Sequence, residues 1–399
     1  MKEISGGITS VKGIKATGIH CGIKKSKSDL ALIVSEPIAV ASGVFTTNRL
    51  KAAPVIVSME HIKSGRCKGI IVNSGNANAC TGRGGYKDSK EIVKLIAKEL
   101  KTSPKNILIA STGKIGAPLP IDKIKKNIPL LVKSLSNSGG KKAAEAILTT
   151  DTMIKERAIE YNYDNKAIRI GGIAKGSGMI FPKMATMLSF ITTDVSIKDE
   201  LLKKALKRSV DKSFNMISVD GDTSTNDTVI CMANGCAGNK LIDRAGRGFK
   251  LFQEALDFIT LHLAKKIVRD GEGATKFIEV KVQGARSKRD AKRVASFIAN
   301  SNLVKTAFFG EQANWGRILS AAGNAGVDLD FGSISLYLNG YKVVERGIVS
   351  YKEDTDLKEV MKKKEIKILL NLGKGDKEES VWTTDLSHEY IKINAEYIS

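Results

Sequence analysis

The clearest periodic signal along the chain is a set of segments whose apolar residues recur at helical spacing. Such spacing places the apolar side chains on one face and predicts amphipathic helices that pack on a core. The predicted helices cover residues 88–100, 198–210, 249–268 and 290–299. The longest of them carries Phe252, Leu256, Ile259, Leu263 and Ile267 in register.

Short runs of aliphatic and β-branched residues lie between these helices and predict β-strands. They cover residues 69–73, 106–110, 167–170 and 366–370. In the segment 333–340, apolar alternation runs into Asn339-Gly340, a pair that favours a type I′ hairpin turn. Helices and strands do not alternate regularly, and no G-x-G-x-x-G motif follows a strand, so the pattern indicates an α+β or layered α/β chain rather than a Rossmann fold.

Loops rich in glycine are concentrated before the segment 276–284, and a helix, hairpins and strands are predicted after it. We therefore predict a catalytic core of residues 1–278 and a smaller α/β domain of residues 279–399. The longest apolar runs, such as residues 30–34, are far too short to span a bilayer. The first residues lack the apolar segment of a secretion signal, so we expect a cytoplasmic protein with no membrane partner.

The net charge is +22, which raises the question of a nucleic-acid partner. The basic residues are mostly lysines spread along the chain among acidic residues, and only 6% of residues are aromatic. This composition does not indicate base stacking. We expect a lysine-rich surface that attracts anionic metabolites, and no nucleic acid as partner.

Cysteine and histidine are scarce. The chain has five cysteines without a C-x-x-C pair and four histidines in separate regions. This pattern predicts neither a disulfide framework nor a metal site. It directs attention to nucleophiles that need no histidine, such as an N-terminal threonine whose own amine is the base.

The segment 171–194 has the composition of backbone bent to present a side chain. Lys175 lies between Ala174 and Gly176, where little side-chain bulk shields its ammonium, so it is a candidate to bind a substrate carboxylate. Thr186 follows a loop containing proline and is a candidate nucleophile. Residue chemistry alone favours a plainer alternative, in which the segment is a loop that leads into a strand and Thr186 bonds its own backbone.

Other polar segments offer weaker candidates. In 111–116, Thr112 and a neighbouring backbone N–H could form an oxyanion hole, although an ordinary turn after a strand has the same composition. The segments 73–82 and 218–228 suit turns, and the latter lacks the ligand spacing of a calcium loop. Glu272, flanked by glycines, either meets a cationic substrate group or caps a helix.

Taken in order, these segments resemble the ornithine acetyltransferase family of arginine biosynthesis, also called the bifunctional glutamate N-acetyltransferases. The resemblance covers essentially the full length of the chain. The matching stretches are GVFTTNRLKAAPV (43–55), NSGNANACTG, STGKIG, TTDT (149–152), GGIAKGSGMI, MATML, DGDTSTNDT, RDGEGATK, NWGRILSAAG (314–323) and the final NAEYIS.

The resemblance implies that the precursor cleaves itself between Ala185 and Thr186. It would yield an α chain of residues 1–185 and a β chain that begins with the catalytic nucleophile Thr186. It also implies that Thr112 and Gly113 stabilise the oxyanion. The substrate-binding positions that it implies are Thr149, Lys175, Thr186, Glu272, Asn394 and Ser399.

The implied fold is a layered αββα sandwich of the N-terminal-nucleophile type, with a C-terminal tail that returns to the active site. The implied reaction moves acetyl from N2-acetylornithine to glutamate without a cofactor, in an α2β2 heterotetramer. The motifs leave open whether acetyl-CoA is a second donor. Two rival interpretations are a self-processing N-terminal-nucleophile aminopeptidase or amidase, and a basic polyanion-binding protein without catalysis.

Overall fold

The structure, a computed structural model, describes residues 1–181, 187–350 and 355–396. The predicted site residues Ala185, Thr186 and Ser399 lie outside this described part. The chain divides into two compact units: Met1–Asn215 with Asp222–Ile267, and Met216–Gly221 with Val268–Ile398. The division between the units falls within the long helix Arg247–Arg269. The boundary between a catalytic core of residues 1–278 and a domain of residues 279–399 stays a prediction.

The first unit is built on one mixed β-sheet. Its strands in the described residues are β1 (Lys2–Ile4), β2 (Ile14–Ile19), β3 (Leu30–Phe45), β4 (Arg66–Asn76), β5 (Ile107–Lys114), β6 (Lys155–Tyr163), β7 (Lys166–Lys175), β8 (Leu188–Thr193) and β9 (Thr228–Ala233). They run in the order β1-β6-β7-β8-β9-β3-β4-β5, and β2 pairs with β3. The long strand β3 joins two halves of the sheet, because its first part pairs with β2 and β4 and its last part pairs with β9.

Helices cover both outer faces of this sheet. They are α1 (Ala53–His61), α2 (Gly82–Glu99), α3 (Ile121–Lys133), α4 (Gly140–Ala146), α5 (Asp199–Lys212) and α6 (Arg247–Arg269). The predicted helices at 88–100, 198–210 and 249–268 are confirmed as α2, α5 and α6. Helix α2 begins before the predicted start, because its first turn contains glycine and charged residues that carry no apolar period.

The core of the first unit has layers because alternate residues of each strand point to opposite faces. On one face of β3–β5, residues such as Leu32 and Ile71 pack with Ile92 of α2. On the other face, their neighbours pack in one cluster with Phe190 of β8 and Ile230 of β9. The far side of β7 lies against α6: a Cβ added at Gly172 would come within 2.9 Å of the Leu263 side chain. The predicted αββα layering is confirmed.

The second unit contains a separate sheet and its own helices. Its strands in the described residues are β10 (Phe277–Ala285), β11 (Ser335–Leu338), β12 (Tyr341–Glu345), β13 (Ile348–Val349), β14 (Glu365–Asn371) and β15 (Lys377–Thr384), in the order β13-β12-β11-β14-β10-β15. Its helices are α7 (Lys288–Ala299), α8 (Asn302–Phe309), α9 (Trp315–Gly323), α10 (Thr355–Lys362) and α11 (His388–Glu396). The predicted hairpin is confirmed, with positive φ at both Asn339 and Gly340. Throughout the described residues, the helices are too short or too polar to traverse a lipid bilayer.

Lys305 is a buried lysine of the second unit. Its Nζ donates to Thr383 Oγ1 at 3.1 Å and to the carbonyl oxygen of Thr384 at 2.5 Å. Burial lowers the pKa of Lys305 to about 8, and the charges of Asp385 and Asp220 offset only part of that decrease. The folded state therefore releases this proton at a lower pH than the unfolded chain does.

We expect the stability of the wild type, relative to Lys305→Met, to increase between about pH 8 and about pH 10. In that range the unfolded chain still binds the proton that the folded chain has released, so raising the pH favours folding. The expected gain is about 2 to 3 kcal/mol in the free energy of unfolding. Urea unfolding of both proteins at the two pH values measures it. Equal differences at both pH values would contradict the assignment to Lys305.

Candidate active site

The structure brings two predicted site residues, Lys175 and Thr112, into direct contact. Both are buried, and Lys175 Nζ donates to Thr112 Oγ1 at 3.3 Å. A hydroxyl that accepts this hydrogen bond keeps its own proton to donate elsewhere. The strand predicted at 167–170 is longer than expected, because β7 continues to Lys175, which pairs with Leu188 of β8.

Asp151 is the counter-ion of this site. Its Oδ2 accepts the Thr149 N–H at 3.0 Å and lies 3.8 Å from Lys175 Nζ. Its Oδ1 accepts from Lys155 Nζ at 2.6 Å and from the Gly176 N–H at 2.7 Å. Burial by itself would raise the pKa of Asp151, but the charges of Lys175 and Lys155 hold it well below its usual range. One ionised carboxylate thus joins the predicted substrate-binding residues Thr149 and Lys175.

Sequence reasoning did not identify Asp151 or Lys155. Asp151 lies within the TTDT stretch and Lys155 lies shortly after it, but the resemblance implied a role there only for Thr149. Their spacing of four positions suggests at most a helical ion pair, whereas here Lys155 begins a strand. The hydrogen bond from the Gly176 N–H to Asp151 joins residues that are 25 positions apart in the chain. No local sequence pattern predicts such a contact.

Lys24 adds a second cation close to Lys175. Its Nζ donates to the carbonyl oxygens of Ser28 at 2.9 Å and Leu148 at 2.6 Å. Burial lowers the pKa of Lys24 to about 8, and the positive charge of Lys175 acts in the same direction. Because Leu148 directly precedes Thr149, Lys24 also fixes the start of that segment. Two neighbouring ammonium groups favour an anionic ligand such as a carboxylate.

Gly113 lies where the ends of two parallel strands approach closely. It is opposite Gly75 of β4, and its φ is 131°. A Cβ at Gly113 would lie 2.4 Å from the Gly75 carbonyl carbon, so only glycine fits. Asn226 Nδ2 donates to the carbonyl oxygen of Ser111 at 2.8 Å and steadies the same strand. The backbone at Thr112 and Gly113 is therefore held rigidly, as an oxyanion hole requires.

The alternative that residues 111–116 form an ordinary turn is wrong for Ser111 to Lys114, which continue β5. The sequence predicted a strand that ends at residue 110. The parallel pairing with β4 accommodates the glycine within the strand instead.

We expect Thr112→Val to lower kcat for acyl transfer about 100-fold, because the valine keeps the shape but has no hydroxyl to donate. Thr112→Ser is the matched control, since it retains the hydroxyl and should keep most of the turnover. Steady-state kinetics of both variants measures the difference. A Val variant as active as the Ser variant would exclude the hydroxyl from the oxyanion hole.

The segment 218–228 contributes Asp227, which is fully buried. Its Oδ1 accepts the N–H of Met187, the first described residue after the predicted cleavage site, at 3.0 Å. Burial raises the pKa of Asp227 well above its usual range.

The described residues contain no cluster of His, Cys, Asp and Glu side chains that could hold a metal ion.

Two further predicted substrate-binding residues, Glu272 and Asn394, meet in the second unit. Asn394 Nδ2 donates to Glu272 Oε2 at 2.9 Å. The turn after Glu272 packs closely on α11, since a Cβ at Gly273 would lie 2.5 Å from the Tyr390 nitrogen. The Glu272 carboxylate thus contacts Asn394, the other predicted site residue of this unit.

Comparison with known proteins identifies the family. Residues 15–399 match the ArgJ family. A relative from Caldanaerobacter subterraneus subsp. tengcongensis, named arginine biosynthesis bifunctional protein ArgJ, is 50% identical and aligns over 100% of both chains. A relative of the same name from Geobacter sulfurreducens is 46% identical over 97% of this chain and 99% of its own.

A crystal structure of an arginine biosynthesis bifunctional protein ArgJ from Bacillus halodurans is 39% identical. It covers 46% of this chain and 96% of its own, with a TM-score of 0.44. The family match spans nearly the whole chain, and the relatives align along almost their full lengths. The resemblance predicted from the motifs is thus confirmed, and this chain is a member of the ArgJ family.

Proposed function

We propose that this chain transfers acetyl from N2-acetylornithine to glutamate, through an acetyl ester on Thr186 that forms after self-cleavage between Ala185 and Thr186. The observation that carries the proposal is the buried contact between Lys175 and Thr112 next to Gly113. It supports the proposal because a cation suited to a substrate carboxylate lies beside a hydroxyl and a backbone suited to an oxyanion. Membership of the ArgJ family supports acetyl transfer as the reaction that these residues catalyse.

Self-cleavage begins when the Thr186 hydroxyl attacks the carbonyl carbon of Ala185. The peptide bond to the Thr186 nitrogen breaks, and the chain before it is held as an ester. Water then hydrolyses this ester and releases the carboxylate of Ala185 and the free α-amine of Thr186. That amine has a reference pKa of about 8, so it can take up a proton near neutral pH.

Acetyl transfer uses the same residue twice. The α-amine of Thr186 takes the hydroxyl proton as the oxygen attacks the acetyl carbonyl of N2-acetylornithine. Thr112 and Gly113 stabilise the tetrahedral oxyanion, and the departing amine of ornithine takes the proton. The α-amine of glutamate then attacks the acetyl ester, which yields N-acetylglutamate and regenerates the Thr186 hydroxyl.

Substrate recognition follows from the charges of the binding residues. We assign Lys175 to the substrate carboxylate, because Lys175 is a buried cation in contact with the proposed oxyanion residue Thr112. We assign Glu272 to a cationic substrate group, with Asn394 and Ser399 completing the set. Thr149 belongs to the segment that Asp151 fixes.

The second donor and the assembly are part of the same proposal. Relatives carry the name bifunctional, which supports acetyl-CoA as an additional acetyl donor for glutamate. An assay with acetyl-CoA and glutamate alone, without N2-acetylornithine, decides this point. The α and β chains are proposed to remain together as an α2β2 heterotetramer without a resident cofactor, which native mass spectrometry of the purified protein tests.

The experiment for the main proposal is mass spectrometry of the purified wild-type protein, followed by an acetyl-transfer assay. Fragments that end at Ala185 and begin at Thr186, together with glutamate-dependent release of ornithine, are the expected results. Release of acetate with no dependence on glutamate would identify the rival amidase. An intact chain without acetyl transfer would overturn the proposal.

A further inference from the structure

Asp227 holds the backbone directly after the predicted nucleophile. Its Oδ1 accepts the Met187 N–H at 3.0 Å, and the Met187 carbonyl oxygen accepts the Thr228 N–H at 3.2 Å. The Asp227 main chain is itself fixed, since its carbonyl oxygen accepts the Thr46 N–H at 3.0 Å. Met187 is thereby anchored on both sides to the start of β9.

The covalent structure explains why this anchor matters. The Met187 nitrogen forms the peptide bond with the Thr186 carbonyl carbon, and a peptide unit is planar. A hydrogen bond that fixes this N–H therefore restrains the plane that contains the Cα of Thr186. After cleavage at the other side of Thr186, this peptide is the sole covalent attachment of the nucleophile to the protein.

We propose that Asp227 is the positioning residue for the nucleophile: its carboxyl group holds the peptide between Thr186 and Met187, so that the Thr186 hydroxyl keeps its attack geometry before and after cleavage. The proposal rests on the proposed function. It goes beyond that function because it assigns a role to a residue that need not touch the substrate.

The Asp227 carboxyl group can accept this hydrogen bond without carrying a charge. Asp227 is fully buried, and its Oδ2 has no hydrogen-bond partner among the described residues. Burial raises its pKa well above the usual range, and the Met187 N–H, the charge of Lys175 and the Thr46 side chain offset this only in part. An asparagine has the same shape and the same acceptor oxygen, so it should replace Asp227 without loss of the anchor.

The chain offers a matched control at the other end of β8. Asp194 is also fully buried, its Oδ1 accepts the Arg169 N–H at 2.7 Å, and its Oδ2 likewise has no partner in the described part of the chain. Burial raises its pKa as well. Asp194 thus resembles Asp227 in burial, in its backbone N–H donor and in the direction of its pKa shift, but it lies near Lys12 and does not contact the residue after Thr186.

The test compares Asp227→Leu, Asp227→Asn and Asp194→Leu, with folding checked by thermal unfolding. Leucine resembles aspartate in shape but has no acceptor. We expect Asp227→Leu to lower kcat on the order of 100-fold and to slow self-cleavage, with the KM for glutamate little changed, because the nucleophile is displaced while the substrate site persists. Asp227→Asn should restore turnover to within a few fold of wild type, and folded Asp194→Leu should keep wild-type kcat.

Two results would overturn the proposal. If Asp227→Asn loses as much turnover as Asp227→Leu, the carboxylate charge is required and positioning is not the role. If folded Asp194→Leu loses kcat equally, the effect is general destabilisation. Should the Leu variant not fold, the Asn variant decides alone, with retained turnover supporting the anchor and lost turnover excluding it. A wild type that neither cleaves nor transfers acetyl would instead contradict the proposed function, whatever these variants do.

Discussion

Replacement of Thr186 with alanine should leave a single chain of 43.0 kDa and abolish acetyl transfer. Alanine has no hydroxyl, so neither the attack on the Ala185 carbonyl nor the acetyl ester can form. Without cleavage the α-amine that acts as base is never released. Removal of a nucleophile of this kind typically costs a factor of about 10⁴ to 10⁶ in turnover. Mass spectrometry and ornithine release measure the two effects separately.

Thr186→Ser is the matched control, because serine keeps the hydroxyl and the α-amine. It should still cleave, and it should transfer acetyl at a reduced rate because the loss of the methyl group frees the hydroxyl to rotate. Two fragments from the Ala variant, cut at the same bond, would show that another group performs the cleavage. Wild-type turnover in the Ala variant would remove Thr186 from the mechanism.

Asp151→Asn should lower the free energy of unfolding by about 3 to 5 kcal/mol, because it leaves Lys155 and Lys175 as buried cations without their carboxylate. Both lysines and Asp151 are almost fully shielded from solvent. Urea unfolding at pH 7 measures the loss. Since the pKa of Asp151 lies below its unfolded value, its contribution is present above about pH 4 and disappears as the pH falls below that value.

A double variant separates stability from function at this site. Adding Lys155→Met to Asp151→Asn removes one of the two cations that lost this carboxylate and should recover part of the lost stability. It should not restore turnover, because Lys175 and the Thr149 backbone still lack the carboxylate that orients them. Recovery of full activity would show that Asp151 serves stability alone.

A more exposed ion pair provides the comparison for the Asp151→Asn prediction. Asp257 lies 3.5 Å from Lys212, and the two side chains are 27% and 54% exposed. Asp257 Oδ1 also accepts from Ser209 and Gln253, and asparagine retains an acceptor oxygen there. Solvent screens such a pair, so Asp257→Asn should cost less through loss of the ion pair, about 1 kcal/mol at most. Equal losses from Asp151→Asn and Asp257→Asn would contradict the buried charge network.

Much of the fold could be predicted from local patterns. The period of Phe252 to Ile267 predicted helix α6, and Asn339-Gly340 predicted the hairpin between β11 and β12, because both signals depend on neighbours in the chain. The strand predicted at 167–170 extends to Lys175 in the structure. The glycines after it obscured the strand, which forms because its backbone pairs with β6 and β8.

The residues of the candidate site also fall into those that the sequence predicted and those that it did not. Thr112, Gly113 and Lys175 were found because they belong to ordered motifs that resemble a family. Asp151, Lys24 and Asp227 were not assigned a role, since nothing in their immediate neighbours distinguishes a buried carboxylate or lysine from a solvated one.

The sequence by itself determined the class of fold, the main helices and strands, the family and the residue proposed as nucleophile, because periodicity and motif order are local properties. Only the tertiary structure decided which groups are buried together. The contacts of Thr112 with Lys175 and of Met187 with Asp227 join residues 63 and 40 positions apart. The same fold lowers the pKa of Asp151 through the charges of Lys175 and Lys155 and raises the pKa of Asp227 through burial.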